Sequence, residues 1–360
     1  MMNPMHALLR RAEDGSLPTC ETGNEYDGRM GVRISSIFVI LVGSAFGALF
    51  PVFARSFQNS KVTGWAFFIA KYFGSGVIIA TAFIHLLGPA EEALRNECLT
   101  GPITDYSWPE GIILMTIVVL FFVEMMVIRF SRFGQGHSHD DDSHSDHSYG
   151  HSHAGEIKST EIASNDVNHH MPGEDHLGHS REHRDPELAE KGIDLEEYMA
   201  QLTSVFILEF GIIFHSVFIG LTLAVSGSEF TTLYIVLVFH QTFEGLGLGS
   251  RLATIPWPRS KRWTPYFLGM GFAISTPIAI AIGLGVRQSY PPEGYTTLIV
   301  NGVFDSISAG ILIYTALVEL MAHEFMFSTS MRKAPLKNVL AAFGLLCLGA
   351  LLMALLGKWA

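Results

Sequence analysis

The sequence predicts an all-α integral membrane protein of about eight transmembrane helices. Three observations lead to this. Hydrophobic residues make up 49% of the chain and charged residues only 16%, against roughly 25% charged in ordinary soluble domains. The mean hydropathy is +0.32. Eight stretches are each long enough to cross a hydrocarbon core, which takes about 20 apolar residues of helix.

Those stretches fall at 32–53, 65–88, 110–130, 200–225, 229–250, 264–286, 295–321 and 337–358. The fourth contains Glu209 and His215 and the fifth His240 and Glu244. Their other residues are apolar or small, so both still read as spans. Glycines recur, for example Gly43 with Gly47, Gly245 with Gly247 and Gly249, and Gly269 with Gly271. In lipid such residues let helices approach closely. Pro277 predicts a kink or break in the sixth span. Residues 1–30 contain no apolar run of signal-peptide type, so the first span is expected to act as an uncleaved insertion signal.

Lys and Arg in short loops set orientation. The connections after spans one, three, five and seven are basic, with Arg55 and Lys61, Arg129 and Arg132, Arg251, Arg259, Lys261 and Arg262, and Arg332, Lys333 and Lys337. The other connections are poorer in basic residues, and the one after span two holds Glu91, Glu92, Glu97 and Asp105 with only Arg95. The basic loops belong in the cytosol and both termini outside, although Arg29 and Arg33 before span one weigh the other way. Residues 1–31 then form an extracellular N-terminal segment, 32–130 carry helices one to three, 131–197 form a cytosolic loop, and 198–358 carry helices four to eight. Cys20 and Cys98 flank spans on one side. A disulfide and two unpaired thiols are both open readings. Cys347 reads as packing. The formal net charge of −11 excludes a nucleic-acid partner, because phosphate binding needs a basic surface.

The 131–197 loop is nearly devoid of large apolar side chains. Its histidines include His137, His139, His144, His147, His151 and His153, among Asp140, Asp141, Asp142 and Asp146. Such a segment cannot bury enough surface to fold and is expected to be disordered. Its imidazoles are candidate weak ligands for Zn²⁺ and similar ions.

Ionisable residues in lipid are costly and mark functional positions. Span five reads His240-Gln241-Thr242-Phe243-Glu244-Gly245. His240 and Glu244 are four apart and share a helix face. An imidazole and a carboxylate on one face form half of a zinc or iron site. Span four reads His215-Ser216-Val217-Phe218-Ile219-Gly220. Two antiparallel helices joined by a short loop place these strings at similar depth. His215, His240 and Glu244 are therefore expected to converge on one cation, with Gln241 and Ser216 beside it. His85 is a candidate entrance ligand. Glu319 and His323, four apart near the inner end of span seven, are candidate exit ligands. Asp305 is a candidate pathway residue, and Glu124 and Glu209 are expected to tie helices together. A set without thiolate suits labile Zn²⁺ or Fe²⁺ and not Cu⁺. Imidazole binds metal only when neutral, so uptake is expected to fall as pH drops through its titration range.

The two strings, HSxxxG in the fourth span and HQxxEG in the fifth, resemble the ZIP (Zrt-, Irt-like protein) family of metal transporters. The resemblance spans about 32–358, and Gly23–Gly31 is similar to fungal plasma-membrane members, the zinc-regulated transporters. It implies a ZIP-type helical bundle in the plasma membrane. The cargo it implies is Zn²⁺ first, with Fe²⁺ and Mn²⁺ as further candidates, and no cofactor. It also implies import by alternating access, spans one, four, five and six moving against two, three, seven and eight. Some members have a second, adjacent metal site with Asn and Glu where this chain has Ser216 and Ile219, so one main site is expected. A divalent cation and the lipid bilayer are the implied partners, with a second copy of the chain as a candidate for a homodimer. Three other readings remain. A zinc exporter fits poorly, since six spans and an HxxxD pattern are expected there. An intramembrane zinc hydrolase lacks its HExxH string. A metal-sensing receptor would bind without transport. No GxxxxGK[ST] string is present for ATP-driven pumping.

Overall fold

The computed structural model describes residues 19–56, 61–133 and 195–359, and every regular element among them is helical. The first span is Met30–Ser56. The second is composite: α-helix Lys61–Ala80, π-helix Thr81–Leu87 and α-helix Gly88–Leu94. The third is Trp108–Phe133, the fourth Leu195–Val225 and the fifth Phe230–Thr254. The sixth is Thr264–Val286, unbroken at Pro277, where the sequence suggested an interruption. The seventh joins α-helix Tyr295–Thr315 to π-helix Ala316–Phe327. A short helix, Thr329–Lys333, leads to the eighth span, Leu336–Leu356.

Seven of these are long and apolar enough to cross a membrane. The fifth has the length, at 25 residues, but is more polar because it carries His240, Gln241, Glu244 and three glycines. From His240 to its end it has no exposed residue, whereas Ile235 and Phe239 before it face outward. The third and eighth spans instead leave side chains such as Leu114, Phe121 and Leu351 exposed. Cys347 shares the outward face of the eighth span, so it is not the packing residue that its apolar surroundings suggested. The loop expected at 131–197 is shorter at both ends, since helix continues to Phe133 and restarts at Leu195. Its candidate ligands His137, His139, His144, His147, His151 and His153 lie outside the described residues.

The first span packs on the fifth and sixth, the fourth on the sixth, the second on the eighth and the third on the seventh. Between these sets the second touches the fifth and the fourth touches the seventh. Glycine sets the closest crossings. A Cβ on Gly245 would lie 2.9 Å from the Ala48 nitrogen, and one on Gly74 would lie 2.4 Å from the Gly247 Cα.

An extended strap, residues 19–29, crosses the ends of three hairpins. Cys20 is disulfide-bonded to Cys98 in the connection between spans two and three, which resolves the two open readings of those thiols. Asn24 donates from Nδ2 to the carbonyls of Arg287 (2.6 Å) and Tyr290 (2.8 Å) after span six. Gly28 and Arg29, with φ of +93° and 45°, turn the strap into the first span through the left-handed region that glycine favours. Arg33, fully buried, then reaches the end of span four. It donates to the carbonyls of Leu223 (3.2 Å), Ala224 (2.9 Å) and Ser226 (2.5 Å), to Gly28 O (2.9 Å) and to Asp27 Oδ1 (2.7 Å). Helix C-termini leave their last carbonyls without intrahelical donors, and Arg33 supplies donors for this one. Arg29 does the same for Gly227 O at 2.7 Å. Both arginines are thus committed to internal acceptors.

Hydrogen bonds from Arg29 and then Arg33 hold the Asp27 carboxyl below its ordinary 3.8. A carboxyl depressed by folding contributes stability above its ordinary value, and that contribution is lost as pH falls below it. The Asp27 contribution to holding the strap is therefore present at neutral pH and is lost in acid. Arg33→Leu removes the donor from four carbonyls and from the Asp27 carboxylate and is expected to cost about 3 kcal/mol. It should appear as a lowered thermal midpoint of the detergent-purified protein, with Asp27→Asn costing less. An unchanged midpoint would remove Arg33 from this role.

Candidate metal centre

The hairpin of spans four and five has only Ser226–Glu229 between its helices. His215 and His240 therefore meet at one depth, their ring centroids 5.6 Å apart. One helical turn places Glu244 Oε1 3.3 Å from His240 Nε2. His215, His240 and Glu244 each offer one ligand atom, and these atoms lie within 4.8 Å of one another. All three are at most 2% exposed. Gln241 donates from Nε2 to Ser216 Oγ at 3.3 Å, so the two neighbouring residues join the same hairpin as expected.

Two further groups come from other spans. Asp305 Oδ1 lies 3.8 Å from His215 Nδ1. His85 stands edge-on to His240, with centroids 4.6 Å apart, instead of at a surface entrance. The π-helix that carries His85 ends just before Pro89, which cannot donate to the His85 carbonyl four residues earlier. His85 Nε2 lies 2.9 Å from Met353 O. A carbonyl only accepts, so Nε2 carries the proton and Nδ1 of the neutral ring has the lone pair.

Among the described residues, several buried atoms here have no hydrogen-bond partner. They are both ring nitrogens of His215 and of His240, both carboxylate oxygens of Glu244, Gln241 Oε1 and Asp305 Oδ1. Each buried polar atom left in this state costs about 1–3 kcal/mol, and native structures have few. Here they occur together, and they are imidazole and carboxylate donors. That set fits a borderline divalent cation such as Zn²⁺ or Fe²⁺ and offers no sulfur to a softer ion.

Toward the far ends of spans five and seven the charges are paired. Arg251 donates to Glu319 Oε2 at 2.7 Å, both side chains being buried. Lys71 is ion-paired with Glu324, which also accepts from Tyr72 at 3.4 Å. Glu319, His323 and Glu324 all lie on the π-helix of span seven. A widened helix of this kind often marks a functional segment. Glu319 is therefore engaged by Arg251, while His323 is half-buried. Glu124 accepts from Tyr314, which ties span three to span seven as expected. Glu209 does not make the expected tie, since its buried Oε2 has no partner among the described residues. Lys71 and Arg251 were not singled out by the sequence reading. The signal was present for Lys71, a cation inside a predicted span. Arg251 falls in a loop by hydropathy, which ends the fifth span at 250, whereas the helix runs on to Thr254.

A family model described as "ZIP Zinc transporter" matches residues 30–357. The chain is 44% identical to zinc-regulated transporter 2 of Saccharomyces cerevisiae, over 97% of this chain and 99% of that protein. It is 42% identical to zinc-regulated transporter 1 of the same yeast, over 94% and 90%. It is also 31% identical to the chloroplastic Fe(2+) transport protein 3 of Arabidopsis thaliana, over 91% and 85%.

The Arg251–Glu319 pair is open to a double-mutant cycle. Glu319→Leu alone strands a buried guanidinium and is expected to destabilise by about 3–5 kcal/mol. Arg251→Met combined with Glu319→Leu should recover most of that, read as the thermal midpoint. A loss in the double variant equal to the sum of the losses from Glu319→Leu and Arg251→Met alone would show that the two side chains are not coupled.

Proposed function

The chain belongs to the ZIP zinc transporter family, a family of multi-pass membrane transporters and not enzymes, and we propose that it carries Zn²⁺ into the cytosol through the hairpin of spans four and five. Fe²⁺ and Mn²⁺ are further cargo on this reading. His215, His240 and Glu244 bind the ion, and Gln241 and Ser216 complete its surroundings. His85 and Asp305 flank it and hand it on. The observation that carries this reading is the clustering of unpartnered, buried imidazole and carboxylate atoms within 4.8 Å.

Movement follows alternating access. Spans one, four, five and six form one unit, and two, three, seven and eight the other, an assignment supported by the way the helices pack. The small-residue crossing of Gly74 on Gly247 lies between the units and leaves room for sliding. Arg251 and Glu319 also sit one on each unit, so their bond holds the inner end closed. Opening frees Glu319, which with His323 passes the ion to the cytosol. The Cys20–Cys98 bond supports placing the strap and the N-terminus outside, because disulfides persist in oxidising compartments. The C-terminus follows on the same side after eight spans, in the plasma membrane. The transporter works as a single chain or as a homodimer.

The test is accumulation of radioactive zinc in cells that lack their own uptake, with the native chain and His240→Ala at matched surface level. The native chain should raise accumulation at least tenfold over His240→Ala. Lowered cellular zinc would make it an exporter. Equal uptake by both proteins would remove His240 from the site. No zinc movement with retained zinc binding would favour a receptor.

A further inference from the structure

At the end of the bundle opposite the Cys20–Cys98 bond lies a cavity of about 760 Å³. Its walls are the end of span one, the connection after span five and the start of span six. Arg55, Ser56, Trp257, Arg262, Trp263 and Tyr266 line it. We propose that this cavity binds the phosphate headgroup of an anionic phospholipid.

The charge pattern is the first argument. The chain carries a net −11, yet residues 251–263 include Arg251, Arg259, Lys261 and Arg262 with no Asp or Glu, and Arg55 lies across the cavity at the end of span one. Arg251 is bonded to Glu319. Arg55 and Arg262 form no ion pair with a described residue. The guanidinium of Arg55 lies 5.7 Å from the Phe67 ring centroid and that of Arg262 lies 5.6 Å from that of Trp263. Two guanidinium forks on one cavity, without a carboxylate between them, match phosphate oxygens in geometry and charge.

The second argument is the wall. Trp257 donates its indole N–H inward to Leu252 O at 2.8 Å, which leaves its ring as an apolar surface. Trp263 and Tyr266 pack together with centroids 5.7 Å apart. Phe53, Trp263 and Phe267 are more than half exposed. Aromatic residues of this kind collect where acyl chains meet headgroups. Basic pockets between spans at that level take anionic headgroups. A free phosphate would use the arginines and leave the aromatic rim without a role. The site shares no residue with the metal centre, so it does not depend on the transport reading.

The test uses the full chain purified in dodecyl maltoside and titrated separately with dioctanoyl phosphatidic acid, dioctanoyl phosphatidylcholine and inorganic phosphate. Tryptophan emission and the thermal midpoint are the readouts. The expected result is saturable binding of phosphatidic acid, at least tenfold tighter than of the other two. Arg55→Gln with Arg262→Gln should weaken it at least tenfold. Should that variant melt early without lipid, Arg55→Lys with Arg262→Lys keeps the charge and loses the forks, and it should still bind several-fold more weakly than native. Native-like binding by either folded variant would overturn the site. Equal binding of phosphatidylcholine would overturn the charge argument, and equal binding of inorganic phosphate would overturn the lipid as its source.

Discussion

A charged or strongly polar side chain inside a bilayer costs several kcal/mol unless protein groups answer it. Most of this bundle follows that constraint. Buried Arg33 donates to five oxygen acceptors, Arg251 is matched to Glu319, Lys71 to Glu324 and Glu124 to Tyr314. The hairpin of spans four and five is the main departure, with Glu209 a lesser one. A set of buried donors that the protein itself does not answer, at the point where two glycine-rich helices cross, is the feature from which the rest can be understood.

Those donors could answer one another if the backbone were free to move. Glu244 Oε1 is 3.3 Å from His240 Nε2, yet the two make no hydrogen bond. Packing holds that geometry. Gly245 sits against the backbone of Ala48 and Gly247 against that of Gly74, so span five is clamped by backbone on two sides of the site. At its turn, Arg33 fastens the same hairpin to span one, and the strap extends this through Asn24 and Cys20 to two further connections. The turn of the hairpin and its middle are thus restrained by different means, hydrogen-bonded and covalent at the turn, steric at the middle.

The part of this that the sequence disclosed is the part with a period. Apolar runs of bilayer length gave the spans, and a four-residue spacing put His240 and Glu244 on one face. A short connection brought His215 to the same depth. Contacts between spans distant in sequence carry no such period. His85 was expected at the mouth and lies against His240, because its depth follows from a π-helix that hydropathy does not register. Glu319 looked like a free ligand until Arg251 was found beside it. The cysteine pairing was undecidable because it depends on where the strap runs, and polar strap residues have no hydropathic signature. The reading of Cys347 failed for the opposite reason: an apolar surrounding in sequence can face lipid as well as protein.

The composition of the donor set bears on how an ion would leave. Binding that answers every orphaned atom at once would be strong, and a carrier must release what it binds. Two features limit the strength. No thiolate is present, so the slowest-exchanging class of ligand for these metals is absent. The second carboxylate in reach, Asp305, belongs to span seven, whereas His215, His240 and Glu244 belong to spans four and five. If the two sets of spans shift relative to one another, Asp305 is carried away from His215 while the core triad stays intact. The ligand field is then strongest in one arrangement of the bundle and weaker in the other. On the proposed alternating-access reading, a site divided in this way between two bodies would change its affinity through their relative motion, with no ligand needing to change its protonation or its rotamer.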